Sequence, residues 1–440
     1  MSTISITDMI EQLPAKEVEA SLESFLKPMI DVMPDRRLGR VVPLAVQGIL
    51  GSESPVVLQM AQTVSRGESE VWPAAKRIYG LLKNHRTGFE AMSSALYEIS
   101  EANIARDRLE RLVIAIDPVN FEKPYTKKLE GVSTVHKSTP PDMNGKARLS
   151  SGYPSITATV VNTRIPATTY ANWFSYTTDF VSQNVEIQQA IDATNQRLAK
   201  RYSLRYVLDS AFDDRKWFAA LAEQEFVIRV SHPERIVEVY NERLDRWERE
   251  SLGDLIDVVP FGHEARVTFT HARKERIASI LFGWFRIRLP DTQQQLWALV
   301  AYEKRIRRTL TLLTNVPLHS IQDVHSVYED WRLRARIEHG YRFCQEQGLD
   351  VEDMRVQKLE RMKRLFILVL LAAQFVFFLI DTWPLPAVQW IRALGGKLHL
   401  KNDLDGPYLV LRGLSALFQT LATWSHAAVN PFPKHLFTYG

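Results

Sequence analysis

One cysteine, Cys344, stands in 440 residues, which excludes an intramolecular disulfide and a cysteine-based zinc site and makes the reducing cytosol the expected compartment. Charge of one sign is not in excess: 55 Lys and Arg face 51 Asp and Glu, too even a balance to point to nucleic acid by itself. The opening MSTISITDMIEQLPAKEVEA lacks the basic start and apolar run of a secretory signal, so export is not expected. An apolar stretch of about 20 residues, the length a membrane span needs, is also missing. Its nearest approach, Leu365 to Ile380, has 16 residues with Gln374 as the polar member, between Arg361, Lys363 and Arg364 on one side and Asp381 on the other. A buried core helix and a membrane span both leave such a run. Its length and its interior glutamine favour the core helix, and no membrane partner is expected.

What is present is the composition of a folded globular protein, 45% apolar and 24% charged, on a chain long enough for two or three structural units. Residues 1–110 carry helical periodicity punctuated by Gly51 and Gly67. Within them Ser54–Val64 and Glu70–Asn84 flank a break at Arg66-Gly67, a layout shared by a helix-turn-helix and by a plain helical hairpin. In the first case Lys76, Arg77 and Lys83 make the second helix a basic, phosphate-contacting element.

At Leu112 the pattern changes to LVIAID, an apolar run closed by Asp117, as in a buried strand with a functional end. A polar loop from Lys123 to Pro154 precedes the strand-like Ser155–Asn162 and Pro166–Ser175. A helix over Asn184–Arg201, the run LRYVLDS with Asp209, a helix near Asp214–Ala222 and the strand Glu225–Val230 follow. Strand, strand, strand, helix, strand, helix, strand is an RNase H-like order, in which the fourth strand lies parallel beside the first. Asp117 and Asp209, 92 residues apart, then share one sheet edge. Two carboxylates so close disfavour joint ionisation unless cations neutralise them, and their hard oxygens suit Mg²⁺ or Mn²⁺.

From 231 to 315 the chain is β-rich again, with RVTFTHA, ASILFGWFRIRL, QLWALVAYEK and TLTLLTN alternating apolar and polar positions. The expected fold is therefore α/β: an RNase H-like mixed sheet flanked by helices, with a β-rich insertion, an N-terminal helical domain and a C-terminal helical region. The expected units are an N-terminal helical domain (1–110), for which the resemblance described below implies DNA-end binding, the RNase H-like core in two parts (111–230 and 316–382), for which it implies catalysis, the insertion (231–315) and an apolar C-terminal region (383–440). The acidic helix completing the site falls near Glu338, where Trp331, Arg334, Glu338, Arg342 and Gln345 recur at three or four residues and so share one helical face. An amphipathic surface helix with ordinary Glu–Arg pairs has the same spacing.

Three motifs resemble the DDE transposases of bacterial insertion sequences, in the IS-four group: LVIAID at Asp117, LDSAFDDRKWFAALAEQEFVIRV at Asp209, and WRLRARIEHGYRFCQEQGLD. The last resembles that family's Tyr-x₂-Arg-x₃-Glu-x₆-Lys signature, with Arg334 and Glu338 in register but Trp331 at the tyrosine position and Gln345 at the lysine position. KRIYGLLKN and LTLLTN extend the likeness from about Ser54 to Ile380. The resemblance implies cut-and-paste transposition: Asp117, Asp209 and Glu338 hold two Mg²⁺ or Mn²⁺ ions per site, and the partners are duplex DNA at terminal inverted repeats and at a target. It also implies a homodimer joined through the C-terminal region, and a hairpin intermediate relieved by a flipped base on an aromatic residue of the insertion. Trp284 and Trp297 are candidates for that residue, although alternating strands give them a core role as well. Loss of the tyrosine and lysine bears on phosphate clamping, with Tyr328 and Tyr341 one turn away. Lys304, Arg305, Arg307 and Arg308, then Arg355, Lys358, Arg361, Lys363 and Arg364, are candidate phosphate contacts on either side of Glu338. An inactive transposase-derived DNA-binding protein and an RNase H-like structure-selective nuclease remain alternatives.

Overall fold

The structure is a computed structural model that describes residues 15–124, 128–137, 145–178, 180–241, 244–271, 274–345, 348–396 and 406–429. Among them twelve strands form one mixed sheet. Its first half holds β1 (Arg111–Glu122), β2 (Ser133–His136), β3 (Leu149–Val160), β4 (Ala167–Trp173), β5 (Ser203–Leu208) and β6 (Glu225–Arg229). β3 pairs antiparallel with β1, β2 and β4, whereas β5 lies parallel between β1 and β6. The second half holds β7 (Ile236–Asn241), β8 (Arg246–Ser251), β9 (His263–His271), β10 (Lys274–Arg288), β11 (Gln295–Glu303) and β12 (Arg308–Thr314). This β-rich block continues the same sheet, because β12 pairs with β6 through Leu313 and Ile228.

Two strands differ from the sequence reading. β1 does not stop at Asp117 but runs on to Glu122 through Pro118, which lies past the last pairing with β5, at Ala115 and Val207. Proline is tolerated there because no ladder hydrogen bond from its nitrogen is needed. The stretch expected as a loop contributes β2, and β3 begins at Leu149 rather than Ser155. Gly152 permits this: a Cβ at that position would collide with the Phe121 carbonyl oxygen of β1.

Alternation along the strands sends side chains to opposite faces. Ile114, Ile116, Tyr206, Leu208 and Phe226 pack into a core beneath the helix Gln183–Leu198, which Ser182 caps by accepting from the Val185 amide. Val113, Ala115, Val207 and Val227 point the other way, into the larger core shared with the remaining helices. That second face carries the candidate site.

From Ala15 to Arg106 the described chain is helical, with Val57–Val64 and Glu68–Lys83 as the expected pair. The apolar run forms the helix Leu359–Thr382, which by length and composition is long enough to cross a membrane, but most of it is buried inside the protein. It lies chiefly among the helices Arg36–Ser52, Phe89–Arg106 and Gly406–Val429, and meets the sheet through Phe366, whose ring centroid is 5.2 Å from that of Trp173 and 5.5 Å from that of Phe121. Helices therefore cover more of it than the sheet does. Gln374, its interior polar residue, donates to Ser100 Oγ at 3.1 Å, so the amide is satisfied within the core.

Candidate active site

The register of the parallel strands brings the two aspartates together. Ala115 is opposite Val207, so two residues further on Asp117 comes beside Asp209 at the end of β5. Both share the side-chain parity of Val113, Ala115 and Val207, and so lie on the face covered by the acidic helix. Asp209 caps the short turn Ser210–Phe212, accepting from the Ser210 amide at 2.7 Å.

Glu338 reaches the same edge through Arg334. The Arg334 guanidinium donates to Glu338 Oε1 at 2.5 Å and lies 3.8 Å from Asp209 Oδ2. From the neighbouring strand Arg229 stands 3.9 Å from Asp209 Oδ1. The expectation of one continuous helical face is corrected here. Trp331 ends one helix, Ile321–Arg332, and Glu338 and Arg342 lie on a second, Ala335–Cys344, with Arg334 at the junction. The chain tightens between them through three-residue hydrogen bonds from Arg334 N to Trp331 O and from Ile337 N to Arg334 O. Gln345 has extended backbone and caps that helix instead of continuing its face.

Burial pushes the Asp117 carboxyl up to about 7; Arg334 opposes the rise, while Glu338 and Asp209 add to it. Asp117, Asp209 and Glu338 offer the hard carboxylate oxygens that could hold a divalent cation such as Mg²⁺ or Mn²⁺, with Arg334 and Arg229 balancing part of their charge. Among the described residues no three such groups already stand at coordinating distance, and Arg334 occupies the space between Asp209 and Glu338.

Three supports escaped the sequence reading. Arg205, buried on β5, donates to Asp330 at 2.7 Å and pairs with Glu225 at 2.6 Å, while Arg111 reaches the same Asp330 oxygen at 3.1 Å. This anchors the helix that leads into Arg334. A charged residue inside the apolar run LRYVL was the available signal. Buried Asp213 accepts from the Ser231 and His232 amides and from Arg235 at 2.6 Å, fixing the turn after Asp209. Tyr341 donates to the Asp117 carbonyl oxygen at 2.8 Å, a contact that fastens the acidic helix to β1.

The other named residues spread more widely. Lys76 and Arg77 are exposed on the helix Glu68–Lys83, with Lys76 Nζ 5.7 Å from the centroid of the exposed Trp72 ring. Lys304 and Arg305 are exposed at the β11–β12 turn, with Lys304 paired to Glu264 at 2.8 Å. Trp331 lines a cleft of about 200 Å³ with Arg229, Arg308 and Tyr328. Arg342 is exposed on the outer side of its helix. Tyr341 is buried under Asp117, to whose carbonyl its hydroxyl donates, whereas Tyr328 packs against Phe282 and lines the cleft beside Trp331. Trp284 and Trp297 are half-buried against the larger core, beside His263 and His319. Arg364 leaves the basic track altogether: it is buried and donates to the Leu82 and Asn84 carbonyls and to Glu360.

No protein-family model matches this chain, and no curated protein matches it.

Proposed function

We propose that the chain is a DDE-type DNA transposase, a cytoplasmic metal-dependent nuclease and strand transferase. The observation that carries this reading is the register placing Asp117 beside Asp209, with Glu338 drawn to the same face through Arg334. The order β4-β3-β1-β5-β6, with antiparallel pairs followed by parallel ones, supports an RNase H-like reading of the core, and β7 to β12 then form its insertion.

Asp117, Asp209 and Glu338 would hold Mg²⁺ or Mn²⁺, two ions per site, and bound ions would supply charge stabilisation for the attacking and leaving oxygens of an in-line displacement at phosphorus. The chain's own groups do the positioning. Arg229, and Arg334 beside it, bring planar guanidinium donors to the edge where a phosphodiester would lie. Tyr341 ties the acidic helix to β1, and the Asp330–Arg205 pair ties the preceding helix to β5. Lys76 and Arg77, and separately Lys304 and Arg305, are exposed cations that would contact duplex phosphates. A second copy of the chain, joined through the C-terminal helices, would hold the other transposon end.

A second reading is DNA binding without cutting. It draws on Arg334, which already supplies positive charge to two of the three carboxylates. Incubation with labelled duplexes carrying the inverted repeats that flank the gene, in Mg²⁺ or Mn²⁺, separates the readings. Cleavage at the repeat end, lost in Asp209→Asn, supports the transposase; tight binding with no cutting in either metal supports the binder. Cutting without joining of the cut end to a second duplex would point to a nuclease instead.

A further inference from the structure

Glu338 sits between two side-chain attachments of its own helix. Three residues after it, the Tyr341 hydroxyl donates to the Asp117 carbonyl of β1 at 2.8 Å. Two residues before it is the half-buried Arg336, whose guanidinium donates to the Thr163 carbonyl at 2.8 Å, to the Arg164 carbonyl at 3.3 Å and to the Val161 carbonyl. These carbonyls belong to the turn between β3 and β4, and that turn is itself fastened to β1. The Val161 amide donates to the Val113 carbonyl at 2.8 Å, while the Asn162 side chain accepts from the Val113 amide and donates to the Arg111 carbonyl, both at 2.9 Å. Arg164 braces the turn from outside, donating to Asp107 at 2.7 and 2.8 Å and lying 3.4 Å from Asp381. Packing does less on this side. Between the acidic helix and the apolar helix Leu359–Thr382 is a cavity of about 50 Å³, lined by Arg336, Ile337, Tyr341 and Cys344 from the one and by Leu370 and Phe377 from the other. Side chains bordering unfilled space lack partner atoms there, so polar attachments carry more of the helix's placement.

We infer that Arg336 is a positioning residue for Glu338: by holding the start of the acidic helix to the β3–β4 turn, it fixes that helix at a second point and so aims the Glu338 carboxylate at the edge bearing Asp117 and Asp209. A single attachment, at Tyr341, leaves a helix of 10 residues free to pivot about it, whereas two attachments to the same strand set its direction. Arg334 and Arg336 divide the work. The first pairs with Glu338 and lies near Asp209, and the second binds main-chain carbonyls. Guanidinium suits the second task because its planar fork of donors serves several carbonyls at once, which an ammonium on a flexible stem does with less order. Placement matters at this scale, since a shift of about 1 Å originating away from the chemistry can slow a reaction about a hundredfold. The inference rests on the catalytic reading of Glu338 and goes beyond it, because it assigns a role to a residue that holds neither metal nor phosphate.

The experiment compares the full chain with Arg336→Met, which keeps the stem and removes the donors, and with Arg336→Lys, which keeps a charge, each well below its thermal midpoint. Three quantities are read: single-turnover cleavage of a terminal-repeat duplex over a range of Mn²⁺ concentrations, duplex affinity by gel shift, and amide hydrogen exchange along residues 335–344 and along β1 without DNA. Arg336→Met should cut at least about tenfold more slowly at saturating duplex, with duplex affinity unchanged and part of the rate recovered as Mn²⁺ is raised. Arg336→Lys should fall between it and the unaltered chain, and it carries the same comparison if Arg336→Met does not fold. Exchange should quicken in the acidic helix and stay slow in β1. Cutting at the original rate by folded Arg336→Met overturns the positioning role and leaves the catalytic reading in place. Equal loss of binding and cutting, or exchange quickened alike in the helix and β1, makes Arg336 a general brace of the fold and likewise overturns it. If the unaltered chain cuts no duplex, the catalytic reading fails and the assignment to Glu338 falls with it.

Discussion

Arg205 on β5 and Asp330, eight residues before Glu338, share a hydrogen bond of 2.7 Å on the same sheet face that carries Asp117 and Asp209. The pair joins the strand that delivers one acidic residue to the helix that leads to another. Its geometry is constrained from two further sides, since Glu225 holds the same arginine and Arg111 the same aspartate.

Removing one partner of this group leaves an uncompensated charge in the interior. Arg205→Met is therefore expected to destabilise the fold by about 3–5 kcal/mol, and Asp330→Asn, which keeps the shape, by less. Urea denaturation of the two variants measures this. Equal and small effects, under about 1 kcal/mol, would show the pair to be incidental to the fold.

Acid–base behaviour gives a second test. Burial raises the Asp117 carboxyl to about 7, with Glu338 and Asp209 adding to the rise and Arg334 opposing it. An unfolded aspartate titrates near ~3.9, so between about pH 4 and 7 the folded state keeps a proton that the unfolded chain has lost. In chelator, the contribution of Asp117 to stability is therefore full at low pH and is lost as pH rises through 7. The Asp117→Asn variant should lack that decline. Parallel stability curves for the two proteins over this window would contradict the assignment. Cation binding, which needs the ionised carboxylate, should strengthen with pH up to about 7 and release a proton below it.

The exposed basic face of the helix Glu68–Lys83 gives a third. Lys76→Ala and Arg77→Ala should each weaken duplex binding regardless of sequence and lower the salt slope by about one, leaving the thermal midpoint nearly unchanged. A loss confined to one DNA sequence would instead mean base readout from this helix. Affinity and slope both unchanged would remove it from the interface.

How much of this was legible in the sequence differs by element. The strands bearing Asp117 and Asp209 were, because continuous apolar runs closed by an acid mark buried parallel strands, and their register then follows from sheet geometry. The helical run containing Glu338 was legible as amphipathic spacing, but its interruption at Arg334 was not. Residues 331 to 345 keep a three- and four-residue spacing whether the helix is continuous or tightened by three-residue hydrogen bonds, so the spacing does not distinguish the two. Strand β2 and the early start of β3 were hidden because Ser, Thr and Gly around Gly152 have turn-like composition, and the close approach to Phe121 that makes them a strand is a contact between distant residues. Arg364 looked like part of a solvated basic cluster; its burial depends on the Leu82 and Asn84 carbonyls, more than 270 residues away.

The central claim is that Asp117, Asp209 and Glu338 form one catalytic set, and Glu338→Gln tests it most directly. The substitution keeps the side chain's shape while removing one negative ligand, and it leaves the Arg334 guanidinium with a neutral partner. Cleavage of a labelled terminal-repeat duplex in Mg²⁺ or Mn²⁺ should fall by at least two orders of magnitude, on the scale of about 3 kcal/mol in the barrier, while a gel shift on the same preparation shows binding retained. Cutting at near the original rate would remove Glu338 from the set, and equal loss of binding and cutting would make its helix structural.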